Sequence, residues 1–558
     1  MENQRPSFAL RLLPSMADFA CLIPLFFLFA RMAGTATLLQ DGDTGWHIRT
    51  GQWILAHHRV PFEDLFSFSK AGAPWFAWEW GSDVLMASLN ALGGLRLLVL
   101  AAAFLIAAVF ALLYKLALRR SNPIVAVGLT VLAAAASSLH FLARPHLFTF
   151  LFVPLFWAAL EEMRNGRERL WRVPYVAILP LATVVWTNLH GGFVIGIILI
   201  AAYGVGELLH WLLGPESGRP EAARLARRFF LTAAASLAAS LLNPYFFQLH
   251  VHIARYLADP FNSEHIEEFL SPSFHMPQAP FFEAMLVMGA AAACWNLLRG
   301  RYTEVVLFLL MAHAGLLAIR NIPLFMVVAT PMVAGAIQEF LNRLPEFNVA
   351  AWLRRAVAGF NRLAARTAET EAAGRWHLAS IGAIALIAAL IYAPHPPEKF
   401  RAEFSPKIFP AGALRVLRND PSSRIFTKDQ WGDYLIWSLN HKVFVDGRSD
   451  FYGDDFENKV LDIFNVRNGW EKILNRFGVD TILLPADAPL AGALKESAHW
   501  RVVYDDHIAL VFRPASTGSQ QTLSASSLVG GISRDREITK LERDPAITGD
   551  PTKSKKPI

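Results

Sequence analysis

Long apolar runs dominate the chain between Ala17 and Tyr392. We place eleven of them at 17–39, 95–118, 123–139, 147–163, 173–189, 193–213, 229–242, 281–298, 305–319, 323–340 and 378–393. A helix needs roughly 20 apolar residues to cross a hydrocarbon core about 30 Å thick, and most of these runs approach that length. The pattern therefore predicts an α-helical polytopic membrane protein with about 11 transmembrane helices.

Two segments between these runs are amphipathic. The first outer loop, 40–83, mixes Trp and Phe with charged residues, which predicts short helices along the membrane interface. Residues 342–376 place apolar positions at helical spacing opposite an arginine face, which predicts a helix on the cytoplasmic surface.

The end of the chain has a different pattern, because short strand-like and helix-like runs alternate there. The strand-like runs are 424–427, 442–446, 480–484, 500–504 and 507–512, and the helix-like runs are 412–417, 434–439, 455–464 and 470–477. We therefore predict a small C-terminal α/β extracytoplasmic domain over 394–515, after a transmembrane module over 1–393. The polar tail, 516–558, is predicted to be disordered.

Composition and charge placement narrow the class of protein. Of 558 residues, 54% are hydrophobic and 18% charged, which excludes a water-soluble fold for most of the chain. The net charge of +6 does not indicate nucleic-acid binding, because the arginines gather in alternate loops between the spans. By the positive-inside rule those loops and the N-terminus are cytoplasmic, and an odd number of crossings puts the C-terminal domain outside. Both cysteines, Cys21 and Cys294, lie in apolar segments, so a disulfide framework is not expected.

Ionisable and amide groups concentrate at the predicted outer ends of the spans. Contact of such groups with lipid costs free energy, so their presence at these positions indicates a function. Ten of the seventeen histidines fall on this side by the predicted topology. A shared outward-facing cleft explains this distribution, although outer loops that are simply polar would explain it as well.

The most distinctive local motif follows the first span and reads Asp41-Gly42-Asp43-Thr44-Gly45-Trp46-His47. Either Asp43 or Thr44 could act only as the N-cap of a helix running to His57. The motif's position resembles that of the acidic motif of GT-C-type glycosyltransferases. These polytopic enzymes include protein O-mannosyltransferases, the aminoarabinose transferases of lipid A and the catalytic subunits of oligosaccharyltransferases.

This resemblance implies a function and a setting. A carboxylate of the first outer loop lies at the reaction centre in that superfamily, the sugar donor is usually a polyprenyl-phosphate or diphosphate lipid, and an outer C-terminal domain often follows the last span. We therefore expect transfer of a sugar from a polyprenyl-phosphate donor to an unknown glycan, lipid or protein acceptor. The expected location is the bacterial inner membrane, with a periplasmic C-terminal domain.

Candidate roles follow from the chemistry of such a transfer. The acceptor must lose a proton as it attacks, and we assign Asp43 as the base, with Asp41 orienting it. Asp41, Asp43 and Glu264 could share a divalent cation, Mg²⁺ or Mn²⁺, since carboxylate oxygens suit these metals. Cations and donors near the span ends are predicted to bind the donor phosphate, and further polar and aromatic groups to bind substrate. The phosphate-binding set is Arg144, His146, His190 and Arg320, and the substrate-binding set is His47, Trp78, Glu79, Trp80 and Asn188.

Two motifs in the predicted outer domain stand out. The run Asp429-Gln430-Trp431-Gly432-Asp433-Tyr434 resembles the Trp-Trp-Asp-Tyr-Gly acceptor motif of oligosaccharyltransferases, although its order and spacing differ. The run from Asp446 to Asp450 either faces the cleft or forms a strand-end turn with an Asp–Arg pair.

Three other functional classes remain open at this stage. A transporter or flippase would also line a path with polar groups, although obvious inverted repeats and mid-membrane acids are absent from the sequence. An O-antigen ligase or polymerase would rely on Arg and His. That class predicts that activity is retained when both loop aspartates are changed to Asn. A non-enzymatic assembly scaffold would use the outer domain to bind partners.

Overall fold

A computed structural model describes residues 8–372, 374–420 and 423–515 of the chain. Most of these residues are helical, and a four-stranded sheet lies near the C-terminal end. The tail that we predict to be disordered lies outside the described residues.

A helix coincides with each of the eleven predicted spans. In chain order these helices are Met16–Phe26 continued by the π-helical turn Phe27–Arg31, Trp80–Leu118, Pro123–Ser137, His146–Arg164, Tyr175–Leu189, Phe193–Leu213, Arg219–Ala239, Ala279–Leu297, Tyr302–Leu317, Ile322–Arg343 and Leu378–Tyr392. Short helices Phe8–Leu12 and Thr35–Leu38 flank the first of them. The fold therefore fits a polytopic membrane protein.

The count of eleven crossings is not confirmed. Within the described residues, seven helices are long and apolar enough to cross a membrane. Helices Tyr175–Leu189, Tyr302–Leu317 and Leu378–Tyr392 are apolar but reach only about 22–24 Å, since a helix rises about 1.5 Å per residue. Helix Arg219–Ala239 carries arginines through its first half.

The second helix of the bundle is longer than the apolar pattern indicates. It begins at Trp80, whereas the predicted span begins at residue 95. Gly93 and Gly94 interrupt it, and Gly94 has φ of 64°, a left-handed conformation that glycine adopts without steric cost. The apolar run therefore starts just after this break, and the helical turns before it carry polar residues toward the site described below.

The first loop is folded into the protein, and its position along the membrane interface stays a prediction. It forms one helix, Asp43–His57, in which Trp46, His47 and Ile48 are buried. Residues 58–79, here called the connecting segment, are largely irregular and also bury Trp75. The aromatic residues of this loop thus serve in part as core residues, which an amphipathic pattern alone does not distinguish from an interfacial belt.

Helix Ala351–Glu371 occupies the amphipathic segment predicted as a surface helix, and most of its side chains are exposed. Another mixed segment forms helices Gln248–Ala258 and Pro260–His265, followed by the 3₁₀ turn Glu267–Phe269. A two-stranded hairpin, Arg169–Leu170 with Val173–Pro174, precedes helix Tyr175–Leu189.

The C-terminal part has the predicted α/β character. Strand Ile425–Phe426 pairs in parallel with Thr481–Pro485, which pairs antiparallel with Ala509–Pro514, and Trp500–Asp505 forms the other edge. Its helices are Leu414–Arg418, Asp429–Leu439, Ser449–Tyr452, Asp454–Phe464, Trp470–Arg476 and Pro489–Glu496.

One predicted strand, 442–446, does not form a ladder in the sheet. Val443 instead makes isolated parallel bridges to Ile425 and to Ser67 of the connecting segment. The first loop therefore adds main-chain pairing to the edge of the C-terminal part, and this pairing brings the two parts of the candidate site together.

Candidate functional site

The acidic motif lies at the start of helix Asp43–His57. The Asp41 Oδ1 atom accepts a hydrogen bond from the Asp43 N–H at 3.0 Å, and Gly42 occupies the N-cap position. Asp41 rather than Asp43 or Thr44 therefore satisfies a free amide of the first turn. The Thr44 hydroxyl donates to the Ala143 carbonyl, and Trp46 Nε1 donates to Asp43 Oδ1 at 3.2 Å. The Asp43 side chain is thus held in place by the fold.

The Arg144 guanidinium connects the carboxylates of this motif. Its Nη1 lies 2.5 Å from Asp41 Oδ2 and 3.8 Å from Glu268 Oε2, and its Nη2 lies 2.6 Å from Asp43 Oδ2. Glu268 in turn lies 3.5 Å from Arg320 Nη1. We call these five residues the carboxylate–arginine cluster.

Burial and these close charges shift the titration of the cluster. Burial acts to raise the pKa of Glu268, but Arg320 and Arg144 outweigh it and hold that pKa at about 2. Burial raises the pKa of Asp43 well above its ordinary value, and the Arg144 guanidinium opposes that rise. Glu268 is therefore an ionised partner of the two arginines, whereas Asp43 has the higher proton affinity that a general base requires.

A second set of polar groups adjoins the cluster and forms a chain in which His47 and Asp83 are buried and the other members are partly buried. His47 Nδ1 lies 2.6 Å from Asp83 Oδ1, and His47 Nε2 lies 3.6 Å from Glu79 Oε2. The other Glu79 oxygen lies 3.4 Å from His190 Nε2. We call Asp83, His47, Glu79 and His190 the histidine–carboxylate chain.

The hydrogen bonds around His190 define its tautomer. The Gly192 N–H donates to His190 Nδ1 at 2.8 Å, and the Thr149 hydroxyl lies 2.8 Å from the same atom. Trp186 Nε1 donates to that hydroxyl, which leaves the hydroxyl proton for His190. The His190 proton is therefore on Nε2, facing Glu79.

The histidine–carboxylate chain carries little charge at neutral pH. Burial lowers the pKa of His47, and burial together with Arg320 lowers that of His190 to about 3. Burial raises the pKa of Glu79 to about 8. Neutral imidazoles and a protonated carboxyl are suited to binding and orienting polar groups and to passing protons.

The other predicted site residues surround these two sets. His146 Nε2 lies 2.9 Å from the His140 carbonyl oxygen. Trp80 Nε1 donates to Asn188 Oδ1 at 2.7 Å, so these two side chains bind each other. Trp78 packs edge-on against His252 and lies beside Gly191.

Helix Asp429–Leu439 of the C-terminal part packs against the acidic motif, a contact that the sequence analysis did not predict. A Cβ atom on Gly42 would lie 2.5 Å from the Gln430 carbonyl oxygen, and one on Gly45 would lie 2.7 Å from Trp437 Cβ. Glycine is required at both positions because the two helices approach so closely.

This packing brings the Asp433 carboxylate close to that of Asp43. The Gly447 N–H donates to Asp433 Oδ1 at 2.9 Å, while Asp433 Oδ2 is buried and has no hydrogen-bond partner among the described residues. A methyl group on Gly447 would lie less than 3 Å from both Asp433 Oδ2 and Asp43 Oδ1. Burial raises the pKa of Asp433, and the Asp43 carboxylate adds to that rise, since like charges this close do not both ionise readily.

The other motif of the C-terminal part forms the predicted Asp–Arg pair and extends it. Arg448 Nη2 lies 2.7 Å from Asp446 Oδ2 and 2.7 Å from Asp64 Oδ1 of the connecting segment, and all three side chains are buried. The guanidinium also lies 4.5 Å from the centroid of the Trp75 ring. Trp431, by contrast, is buried and donates to the Ile408 carbonyl, so it is a core residue rather than a surface for an acceptor.

The metal site predicted from Asp41, Asp43 and Glu264 is not assembled. The Glu264 side chain is exposed, and Glu268, one turn further along, is the residue that reaches the cluster. Within the described ranges, no group of three or more His, Cys, Asp or Glu side chains is arranged to hold a metal ion. Because Arg144 already engages both aspartates, the residues present do not fit a divalent cation there.

Comparisons with known proteins support the architecture. No protein-family model matches the sequence, and no curated protein matches it. The crystal structure of the Archaeoglobus fulgidus oligosaccharyltransferase in the apo form matches with a TM-score of 0.53 at 12% identity, over 90% of this chain and 74% of that chain. The same enzyme tethered with an acceptor peptide containing the NVT sequon matches with a TM-score of 0.52 at 13% identity, over 84% and 68%. Its complex with Zn and sulfate matches with a TM-score of 0.50 at 13% identity, over 85% and 68%.

At such low identity the likeness concerns the fold. It confirms, for the fold, the resemblance to GT-C-type glycosyltransferases predicted from the sequence.

Proposed function

We propose that this protein is a membrane glycosyltransferase that moves a sugar from a polyprenyl-phosphate carrier to an acceptor at the carboxylate–arginine cluster. The observation that carries the proposal is the Asp43 carboxylate, buried beside Arg144 and Asp433 where the bundle meets the C-terminal part. The fold shared with an oligosaccharyltransferase supports the same class of reaction.

In the proposed reaction, an acceptor oxygen or nitrogen attacks the anomeric carbon of the sugar from the side opposite the phosphate. The new bond forms as the bond from the anomeric carbon to the phosphate oxygen breaks, and the electron pair leaves with the polyprenyl phosphate. Asp43 takes the acceptor's proton, which accounts for a rate factor of about 10² to 10⁴. Attack from the opposite side inverts the anomeric configuration.

Arg320 is the best-placed cation for the leaving phosphate. Arg144 is engaged by Asp41 and Asp43, whereas the Arg320 contact to Glu268 is 3.5 Å long and the Arg320 side chain remains partly exposed. An arginine in this position can stabilise the charge that develops on the phosphate oxygens. In this proposal His190 and Glu79 of the histidine–carboxylate chain bind sugar hydroxyls, and His146, Trp78, Trp80 and Asn188 shape the surrounding pocket.

The proposed membrane placement follows the charges. The cluster lies at the Trp80 end of helix Trp80–Leu118, and Arg119 and Arg120 follow its other end. With the arginine-rich loops inside, the cluster faces the periplasm of a bacterial inner membrane, where a lipid-linked sugar and a glycan, lipid or protein acceptor can meet. The tethered peptide of the archaeal enzyme makes a protein acceptor one of the candidates to test.

The test is to purify the full chain in native lipid discs and to identify bound polyprenyl lipids by mass spectrometry. We expect bare polyprenyl phosphate with the wild type and intact glycolipid with Asp43→Asn. The matched control is Asp455→Asn, which changes an exposed aspartate of helix Asp454–Phe464 and should behave as the wild type.

Two outcomes contradict the proposal. Intact glycolipid on all three proteins would indicate carriage of the lipid without transfer, as in a transporter. An absence of polyprenyl species from all three would remove the proposed donor. The melting temperature of each protein distinguishes loss of turnover from loss of folding.

A further inference from the structure

Arg144 occupies the space between the two aspartates that, from sequence alone, are candidates to share a metal ion. Its two terminal nitrogens contact Asp41 and Asp43 separately, and Glu268 lies on a third side at 3.8 Å. Arg144 thus contacts three carboxylates, and carboxylate groups of this kind commonly bind a divalent cation.

The main chain fixes Arg144 in this position. The Ala143 N–H donates to the Leu38 carbonyl at 2.8 Å, and the Ala143 carbonyl accepts from the Thr44 hydroxyl. Pro145 follows and leads directly into helix His146–Arg164. Leu38, just before the acidic motif, and Thr44 within it therefore hold the backbone beside Arg144 in position, so that the side chain reaches both aspartates.

A divalent ion would compete poorly at this site. One oxygen of each aspartate already accepts from Arg144, and the remaining Asp43 oxygen accepts from Trp46. An added ion would also sit close to a fixed guanidinium in a buried region, where repulsion between like charges is strong. The Arg144 side chain therefore already supplies a positive charge beside both aspartates.

We propose that Arg144 is the resident cation of this site and takes the place of a divalent metal ion. The inference rests on the proposed function in one respect only, that the cluster is the reaction centre. The guanidinium orients Asp41 and Asp43 and supplies the positive charge beside them, so that sugar transfer requires no added metal. Arg144 is in this view a positioning residue.

The test measures metal binding directly, with the full chain in lipid discs and Mn²⁺ as the probe. After treatment with a chelator, Mn²⁺ binding is followed by electron paramagnetic resonance for the wild type, Arg144→Gln and Arg144→Lys. We expect no specific Mn²⁺ binding by the wild type or by the lysine variant, which keeps the positive charge. We expect Arg144→Gln to bind about one ion per chain, at least about tenfold more tightly than the wild type.

A matched control is Arg501→Ala, which removes an exposed arginine of strand Trp500–Asp505 and should leave Mn²⁺ binding unchanged. Specific binding of one Mn²⁺ by the wild type, lost in Asp43→Asn, would overturn the inference. If Arg144→Gln melts cooperatively but gains no Mn²⁺ site, the inference is also overturned. If Arg144→Gln does not fold, specific Mn²⁺ binding by Arg144→Lys would overturn the inference, and its absence would support it.

This readout is independent of turnover. If Mn²⁺ binds as expected but no glycolipid is consumed by the wild type, the proposed function fails while the assignment of the resident cation stands. If glycolipid is consumed only when Mn²⁺ is supplied, the proposed function stands and the assignment fails.

Discussion

Replacing Gly447 by alanine adds one methyl group between two carboxylates and tests whether their close approach matters. The new Cβ would lie less than 3 Å from Asp43 Oδ1 and from Asp433 Oδ2. To reach ordinary contact distance, the Asp433 oxygen must move by about 0.5 Å and the Asp43 oxygen by about 1 Å. Asp433 also accepts from the Gly447 N–H, so it cannot move away without weakening that bond.

The size of the effect follows from these displacements. Overpacking of a buried site typically costs about 1–3 kcal/mol, which lowers the melting temperature. A displacement of about 1 Å at a reacting group can reduce turnover about 10²-fold. We therefore expect Gly447→Ala to melt at a lower temperature and to retain intact glycolipid, as Asp43→Asn does.

The assay combines thermal unfolding in lipid discs with mass spectrometry of the bound lipids. Gly492→Ala is the matched control, because a Cβ there meets no atom within 4 Å and the residue lies in helix Pro489–Glu496 of the same C-terminal part. It should match or slightly exceed the wild type in stability. If Gly447→Ala and Gly492→Ala have the same melting temperature and lipid content, the close approach of Asp43 and Asp433 does not contribute as argued.

Two further predictions concern buried charges. Arg448→Met should lower stability by about 3–5 kcal/mol, because it leaves Asp446 and Asp64 buried without their cation; unfolding of the variant at the wild-type temperature would contradict this. Burial raises the pKa of Glu79 from its ordinary 4.5 to about 8, so wild-type stability should fall as pH rises from about 4.5 through 8, when the carboxyl loses its proton. Glu79→Gln removes this titration, so its melting temperature relative to the wild type should rise over that interval; an unchanged difference between pH 5 and pH 8 would show that Glu79 does not titrate there.

Apolar patterning predicted the bundle well, because the length of an apolar run is a local property. The predicted start at residue 95 missed the helical turns from Trp80 because Asp83, Ser88 and Asn90 interrupt the apolar residues there and Gly93 and Gly94 follow. The same limit explains the first loop, since Trp46 and Trp75 are buried by segments distant in the chain rather than by lipid.

Sequence patterns predicted those members of the candidate site that lie in the acidic motif or next to the end of an apolar run. Asp43, Arg144 and Arg320 each follow or precede an apolar run, and the structure places all three in the carboxylate–arginine cluster. The participation of Asp433 was not predictable, because it depends on how helix Asp429–Leu439 packs against the first loop. The participation of Glu268 instead of Glu264 was likewise not predictable, because it depends on the end of one short helix, which sequence patterns locate only to within a few residues.

The pairing of Asp64 with Arg448 has a consequence for biosynthesis. The two residues are 384 positions apart, so the ribosome adds the arginine roughly 20–80 s after the aspartate at ordinary rates of translation. During that interval the first loop has neither its buried cation nor the main-chain bridge from Val443. A nascent chain whose apolar helices have all been inserted therefore still has Asp64 without its cation, and premature termination before Arg448 yields a membrane-inserted product whose first loop lacks this buried pairing.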